Sequence, residues 1–128
     1  VEALLKPGIL GKAEKVVDKN DTAPVHGSGK IEVLATPAMI ALMENAAFSS
    51  VEPFLGGDLT TVGIYVNVRH LSATPVGVKV EAQSELTEIN GGKLVFKVTA
   101  CDESKMIGSG THERYVVSRA SFLEKLTG

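Results

Sequence analysis

The stretch from Thr36 to Val51 sets the terms for the rest of the chain. Thr36 is a candidate N-cap, and Pro37 follows at the first helical position, where its missing N–H is no loss because that donor lacks an intrahelical partner. Met39, Ile40, Leu42, Met43, Ala46, Ala47 and Val51 leave almost no polar face. The run therefore reads as a helix that the rest of the domain must wrap. Glu44 breaks the pattern, because an ionised carboxylate inside such a helix carries a heavy desolvation cost unless it is paired, hydrogen-bonded or protonated.

A chain of 128 residues is large enough for one core built around a central helix and small for two, so residues 1–128 are expected to form a single domain. Its 13 Lys and Arg against 15 Asp and Glu leave a net charge of −2, which gives no general electrostatic attraction for nucleic acid. No apolar run is long enough to cross a bilayer, and no basic segment followed by an apolar stretch marks a secretory signal, so a cytoplasmic location is expected. Cys101 is the only cysteine, which excludes an internal disulfide and a cysteine-based zinc site by counting. It reads as a small apolar strand residue rather than a reactive thiol.

In order along the chain, Gly11 to Val17 is a first strand, and Asp18 to Ala35 is a long turn-rich segment of the kind that forms lids and binding loops. Within it, Gly27-Ser28-Gly29-Lys30 imitates a phosphate loop, but the first glycine of the full spacing is missing and Ile31 stands where Ser or Thr would hold magnesium. After the helix, Thr61 to Leu71 is β-branched and aromatic, with Val62, Ile64, Val66, Val68 and His70 on one parity. Val78, Val80, Ala82 and Leu86 alternate with charged and polar neighbours, Asn90-Gly91-Gly92 makes a hairpin turn, and Leu94 to Ala100 returns. A turn at Asp102 to Ser104, a strand from Met106 to Val117 and a short helix from Ser121 to Leu126 complete the chain. This order predicts an α+β fold, an antiparallel sheet closing over one helix. A sheet that covers a helix on one side leaves a face or edge open, which predicts a homodimer.

Three polar residues stand out against that architecture: Thr36, Glu44 and His70. If the sheet lays its apolar face on the helix, His70 projects toward the layer of Glu44, and a carboxylate beside an imidazole orients a general base. Each has a plainer reading: Thr36 as a helix cap, His70 as a hydrogen-bonded core residue, and the set as a buried polar network. Both readings stand at this point. His26 and His112 lack the spacing and carboxylates of a metal site and read as structural or surface residues. Arg69 and Arg114 read as strand cations, solvated or salt-bridged, either of them able to meet a phosphate.

The combination of Ala35-Thr36-Pro37-Ala38-Met39 and Leu42-Met43-Glu44 with Thr61-Val62-Gly63, Arg69-His70-Leu71, Thr74-Pro75-Val76-Gly77 and Ile107 to Arg114 resembles the hot-dog-fold thioesterases of the fluoroacetyl-CoA thioesterase type. The resemblance implies an antiparallel sheet wrapped around a long helix, and a homodimer or dimer of dimers that hydrolyses acyl-CoA at an interface cleft. Coenzyme A enters only as part of the substrate, with no metal and no other cofactor. It assigns Thr36, Glu44 and His70 as catalytic and puts Gly63 against the thioester; Arg69, as a strand cation able to meet a phosphate, is expected to be a second substrate-binding residue. Gly63 and His70 lie on opposite strand parities, so a bulge or an edge position is needed if both are to face one ligand. The lid phenylalanines of the fluoroacetyl-CoA enzyme have no counterpart here, since Gly27 to Lys30 carries no aromatic residue. A hydratase or dehydratase on the same fold, and a non-catalytic acyl-thioester or small-ligand binding domain, are the competing functions.

Overall fold

A computed structural model describes residues 4–128. Five strands form one antiparallel sheet: β1 (Leu10–Val16), β2 (Leu59–His70), β3 (Lys79–Asn90), β4 (Lys93–Cys101) and β5 (Met106–Ser118). Their order across the sheet is β1-β3-β4-β5-β2, so the first two strands of the chain are the two edges. Between them in sequence runs the long helix α2 (Thr36–Val51); the other α-helices among the described residues are the short α1 (Ala23–His26) and the C-terminal α3 (Arg119–Thr127). The curled sheet around α2 is the hot-dog arrangement expected from the sequence.

One side of α2 makes the core. Met39, Met43, Ala46, Ala47 and Val51 are buried against Val80, Ala82 and Leu86 of β3 and Leu94, Phe96, Val98 and Ala100 of β4. The period-2 alternation of β3 and β4 follows from this contact, since every second side chain must face the helix. Burial of a side chain as large as Met39 or Met43 is worth roughly 1.5–3 kcal/mol. At Gly11 the β1 backbone passes so close to α2 that an added Cβ would collide with the helix backbone at Ala46 and lie 2.6 Å from the Ser50 Cβ. Only glycine permits that approach.

Three expectations are corrected. The helix is not wrapped all round: Ala41, Asn45 and Ser49 are exposed along its outer side. Its first helical residue is Thr36 rather than Pro37, and the N-cap is Ala35, which has no side chain able to cap. The segment from Asp18 to Ala35 contains a 3-10 turn at Lys19–Asp21, closed by a capping box with Asp18, and then α1, which ends at Gly27 with φ +68°.

β2 departs furthest from simple alternation. Its pairing with β5 shifts between Gly63 and Tyr65, so Ile64 is the extra residue of a bulge. Gly63 lies opposite Arg114, Val66 opposite His112 and His70 opposite Gly108. Residues directly opposite in an antiparallel pair share a face, so the bulge moves Gly63 onto the side of the sheet that His70 occupies. Ile64, Tyr65 and Val66 remain 50%, 47% and 38% exposed along this free edge.

Candidate active site

The hydroxyl of Thr36 lies 2.8 Å from Nδ1 of His70, joining the start of α2 to the end of β2. That contact replaces the capping role expected of Thr36. At the helix start, the Ala38 and Met39 N–H groups both donate to the Ala35 carbonyl, and Pro37 has no N–H. This leaves the Thr36 N–H, which has no partner among the described residues and carries the positive end of the helix dipole. Desolvation holds the His70 ring below its ordinary pKa, and the Ser72 backbone beside it offsets this only in part. The ring is therefore neutral at pH 7. With its proton on Nε2, a buried atom that no group among the described residues meets in hydrogen-bond geometry, Nδ1 presents a lone pair to the Thr36 hydroxyl. A hydroxyl donating to a neutral imidazole is the resting state of an activated nucleophile or of a base poised over water.

The pair opens into a cleft of about 420 Å³ whose walls include Thr36, His70, Leu34, Ile31, Leu71 and Lys30. The Ser28 to Ile31 segment supplies one wall, so the turn-rich loop does border the site, and it does so without an aromatic side chain.

Glu44 is elsewhere. Eight residues along α2 from Thr36, it lies about 12 Å further down the axis and forms no hydrogen bond or ion pair within 4 Å among the described residues. It is half-buried rather than enclosed, so the desolvation problem that singled it out does not arise within one chain. Glu44 instead borders a second cleft of about 350 Å³ with Ala41, Phe48, Gly63 and Arg114. A Cβ placed on Gly63 would lie 3.1 Å from Glu44 Oε2, 3.3 Å from Arg114 Nη1 and 3.4 Å from His112 Cε1. The missing side chain is what lets those three groups converge.

The misplaced polarity in this fold belongs to β5. His112 is 1% and Arg114 8% exposed, and both face the helix layer. Nδ1 of His112 lies 2.8 Å from the Tyr65 carbonyl, which can only accept, so the proton sits on Nδ1 and Nε2 is free to accept from Arg114 Nη1 at 3.1 Å. Arg114 also donates from Nε to Thr61 Oγ1 at 2.8 Å and from Nη2 to the Thr61 carbonyl at 3.1 Å, and its guanidinium lies 5.5 Å from the Phe48 ring centre. Burial lowers its pKa, Glu44 and Glu52 hold it up, and it stays charged. Burial also lowers the His112 pKa, opposed by the Tyr65 carbonyl and reinforced by Arg114.

Of the residues singled out from the sequence, Thr36 and His70 meet directly, and Glu44 and Gly63 meet each other at the second cleft. Arg69 is exposed opposite Ser109, and as the strand neighbour of His70 it points to the other face of the sheet, away from both clefts. The sequence reads His112 as a structural or surface residue and Arg114 as a solvated or salt-bridged strand cation; the two are instead the buried centre of the second cluster. Their parity held the signal, because they continue the inward series Gly108, Gly110, His112, Arg114.

Comparisons with known proteins identify the family of the chain. The profile of the family FlK: Fluoroacetyl-CoA-specific thioesterase matches residues 17–120. The chain is 39% identical over 95 residues to the fluoroacetyl-CoA thioesterase of Streptantibioticus cattleyicolor, an alignment covering 74% of this chain and 68% of that protein. It superposes on a solved structure of the fluoroacetyl-CoA thioesterase FlK with TM-score 0.90 at 32% identity, covering 96% of each chain. It also superposes on a variant of that enzyme in complex with acetyl-CoA with TM-score 0.91 at 31% identity, covering 96% of this chain and 97% of the other. The chain belongs to the fluoroacetyl-CoA-specific thioesterase family.

Proposed function

We propose that the Thr36–His70 pair performs the acyl-CoA thioester hydrolysis that membership of this family assigns to the chain. The 2.8 Å hydrogen bond between Thr36 Oγ1 and His70 Nδ1 carries the reading. His70 takes a proton from Thr36 or from a water in its place, and the oxygen attacks the thioester carbonyl. The free Thr36 N–H at the helix N-terminus receives the developing oxyanion. The thiolate of coenzyme A leaves with little need for protonation at neutral pH. If Thr36 is the nucleophile, the same base then activates the water that releases the acid.

Glu44 joins this chemistry through a second copy of the chain. The free edge of β2, with Ile64, Tyr65 and Val66 exposed, offers an unpaired strand to its own copy. A two-fold axis passing beside α2, level with the stretch between Thr36 and Glu44, sets the two helices antiparallel and brings each Glu44, with Gly63 and Arg114 beside it, toward the Thr36 and His70 of the other copy. In such a homodimer the two clefts of one chain become halves of two complete sites.

The test is thiol release from a panel of short, branched and aromatic acyl-CoAs. The native protein is expected to release coenzyme A, and His70→Ala to lose at least ~100-fold in rate, the low end for removal of a general base. Thermal stabilisation by an acyl-CoA with no thiol released would instead mark a binding domain.

A further inference from the structure

We propose that His112 is a positioning residue for the active site, acting through Arg114: by accepting from Arg114 Nη1 it fixes the guanidinium against Gly63 and the carboxylate of Glu44. The inference rests on the reading that Glu44 and Gly63 form part of the thioesterase site. It begins with the bulge in β2. Between Gly63 and Tyr65 the regular register with β5 is lost, and the Tyr65 carbonyl there accepts the Nδ1 proton of His112. That single bond decides the tautomer, and the tautomer decides that Nε2 is an acceptor.

A buried guanidinium needs acceptors for its N–H groups, and the structure supplies three: Thr61 Oγ1, the Thr61 carbonyl and His112 Nε2. The two from Thr61 take Nε and Nη2. The third takes Nη1, the nitrogen that approaches Gly63. Without His112 as acceptor, the planar guanidinium is held along its Thr61 edge alone and can pivot about that edge, which moves the Nη1 side nearest Glu44.

Protonation of His112 converts Nε2 from acceptor to donor and sets an imidazolium against a guanidinium. Facing the ring are Arg114 on its own strand, Glu44 from α2, the Tyr65 carbonyl from β2 and the apolar Phe96 of β4, whose ring centre is 6.2 Å away, while Glu113, next along the strand, acts on it through its charge alone. Burial and Arg114 both favour the neutral ring, so the arrangement is intact at neutral pH and is lost on acidification. His70 must also be neutral to act as a base. Two protons therefore switch the enzyme off in acid, one at each imidazole.

The experiment compares the native protein with His112→Gln, which stays neutral and keeps an acceptor for Arg114, and His112→Phe, which keeps the contact with Phe96 and removes the acceptor. On the acid side, log(kcat/KM) for the native protein should fall with a slope approaching 2, and for His112→Gln with a slope approaching 1. At neutral pH His112→Gln should stay within a few-fold of native, while His112→Phe loses kcat by up to ~10²-fold, the scale of a misplaced catalytic group, with a smaller change in KM. As a readout separate from turnover, the Arg114 Nη1–H resonances should be slow to exchange in the native protein and in His112→Gln, and should broaden or exchange in His112→Phe, while the Nε–H held by Thr61 serves as the internal control. An equal slope in native and His112→Gln, or native Arg114 Nη1–H resonances in His112→Phe, overturns the positioning role alone. No thiol release by the native protein overturns the thioesterase reading and this inference with it.

Discussion

Gly63→Ala is a small change with a calculable consequence. The added Cβ would sit 3.1 Å from Glu44 Oε2, 3.3 Å from Arg114 Nη1 and 3.4 Å from His112 Cε1. His112 is ordinary contact distance away, and Arg114 is tied at three nitrogens. Glu44 is the group that gives, because its carboxylate ends a flexible side chain with no hydrogen bond to hold it among the described residues. A retreat of a few tenths of an ångström into a half-open cleft costs less than overpacking a closed core, so destabilisation of under about 1 kcal/mol is expected. In a domain of this size that lowers Tm by at most about 4 °C. If a 1 Å misplacement costs about 10²-fold, a shift of this kind together with the methyl group in the path of the substrate should lower kcat/KM by about 10-fold or more. Thiol-release kinetics and a thermal melt on the same preparation separate the two effects. Native kcat/KM in the variant would refute the assignment of Gly63 and Glu44 to the site. A fall in Tm well beyond 4 °C would refute the claim that the neighbour yields cheaply.

Stability should decline in mild acid. Both His70 and His112 have pKa values below the ordinary 6.5 in the folded protein, so on acidification the unfolded chain binds protons first. Denaturant midpoints should fall progressively below about pH 6.5, and a midpoint constant down to pH 5 would contradict the burial of both rings. The homodimer is tested by light scattering. The native chain should have twice the chain mass, and Ile64→Asp at the free edge of β2 should yield monomer with thioesterase activity lost in parallel; an active monomer would remove the need for a composite site.

Much of the fold was legible before the structure. α2 ends at Val51 as expected and begins one residue before the expected first position, because proline marks the first turn without fixing which residue caps it, while an uninterrupted apolar run defines its length. The alternation of β3 and β4 and the turn at Asn90 to Gly92 are as clear in three dimensions as in one. The Thr36–His70 contact was only half legible: both residues were singled out, but His70 was expected beside Glu44. The reason is distance along the helix. Parity says which face a side chain occupies and nothing about how far down α2 its partner lies. The bulge at Ile64 was invisible in its position, since no glycine or proline marks the extra residue itself, although the need to bring Gly63 and His70 onto one face pointed to it. The free edge of β2 also explains why its apolar parity, taken as packing against the helix, includes side chains that remain exposed. The clustering of His112 and Arg114 escaped because a strand arginine is normally solvated and a lone histidine normally structural or on the surface; here a carbonyl, a hydroxyl and an imidazole supply what water would.

Steady-state thiol release from one acyl-CoA by Thr36→Val and Thr36→Ser tests most directly whether the hydroxyl held by His70 does the chemistry. Valine keeps the shape and the helix start while removing the hydroxyl, and serine keeps the hydroxyl. Thr36→Val should lose at least ~100-fold in kcat/KM and Thr36→Ser should stay within about 10-fold, with both variants folded. A Thr36→Val protein that hydrolyses acyl-CoA at the native rate would contradict that role for the hydroxyl.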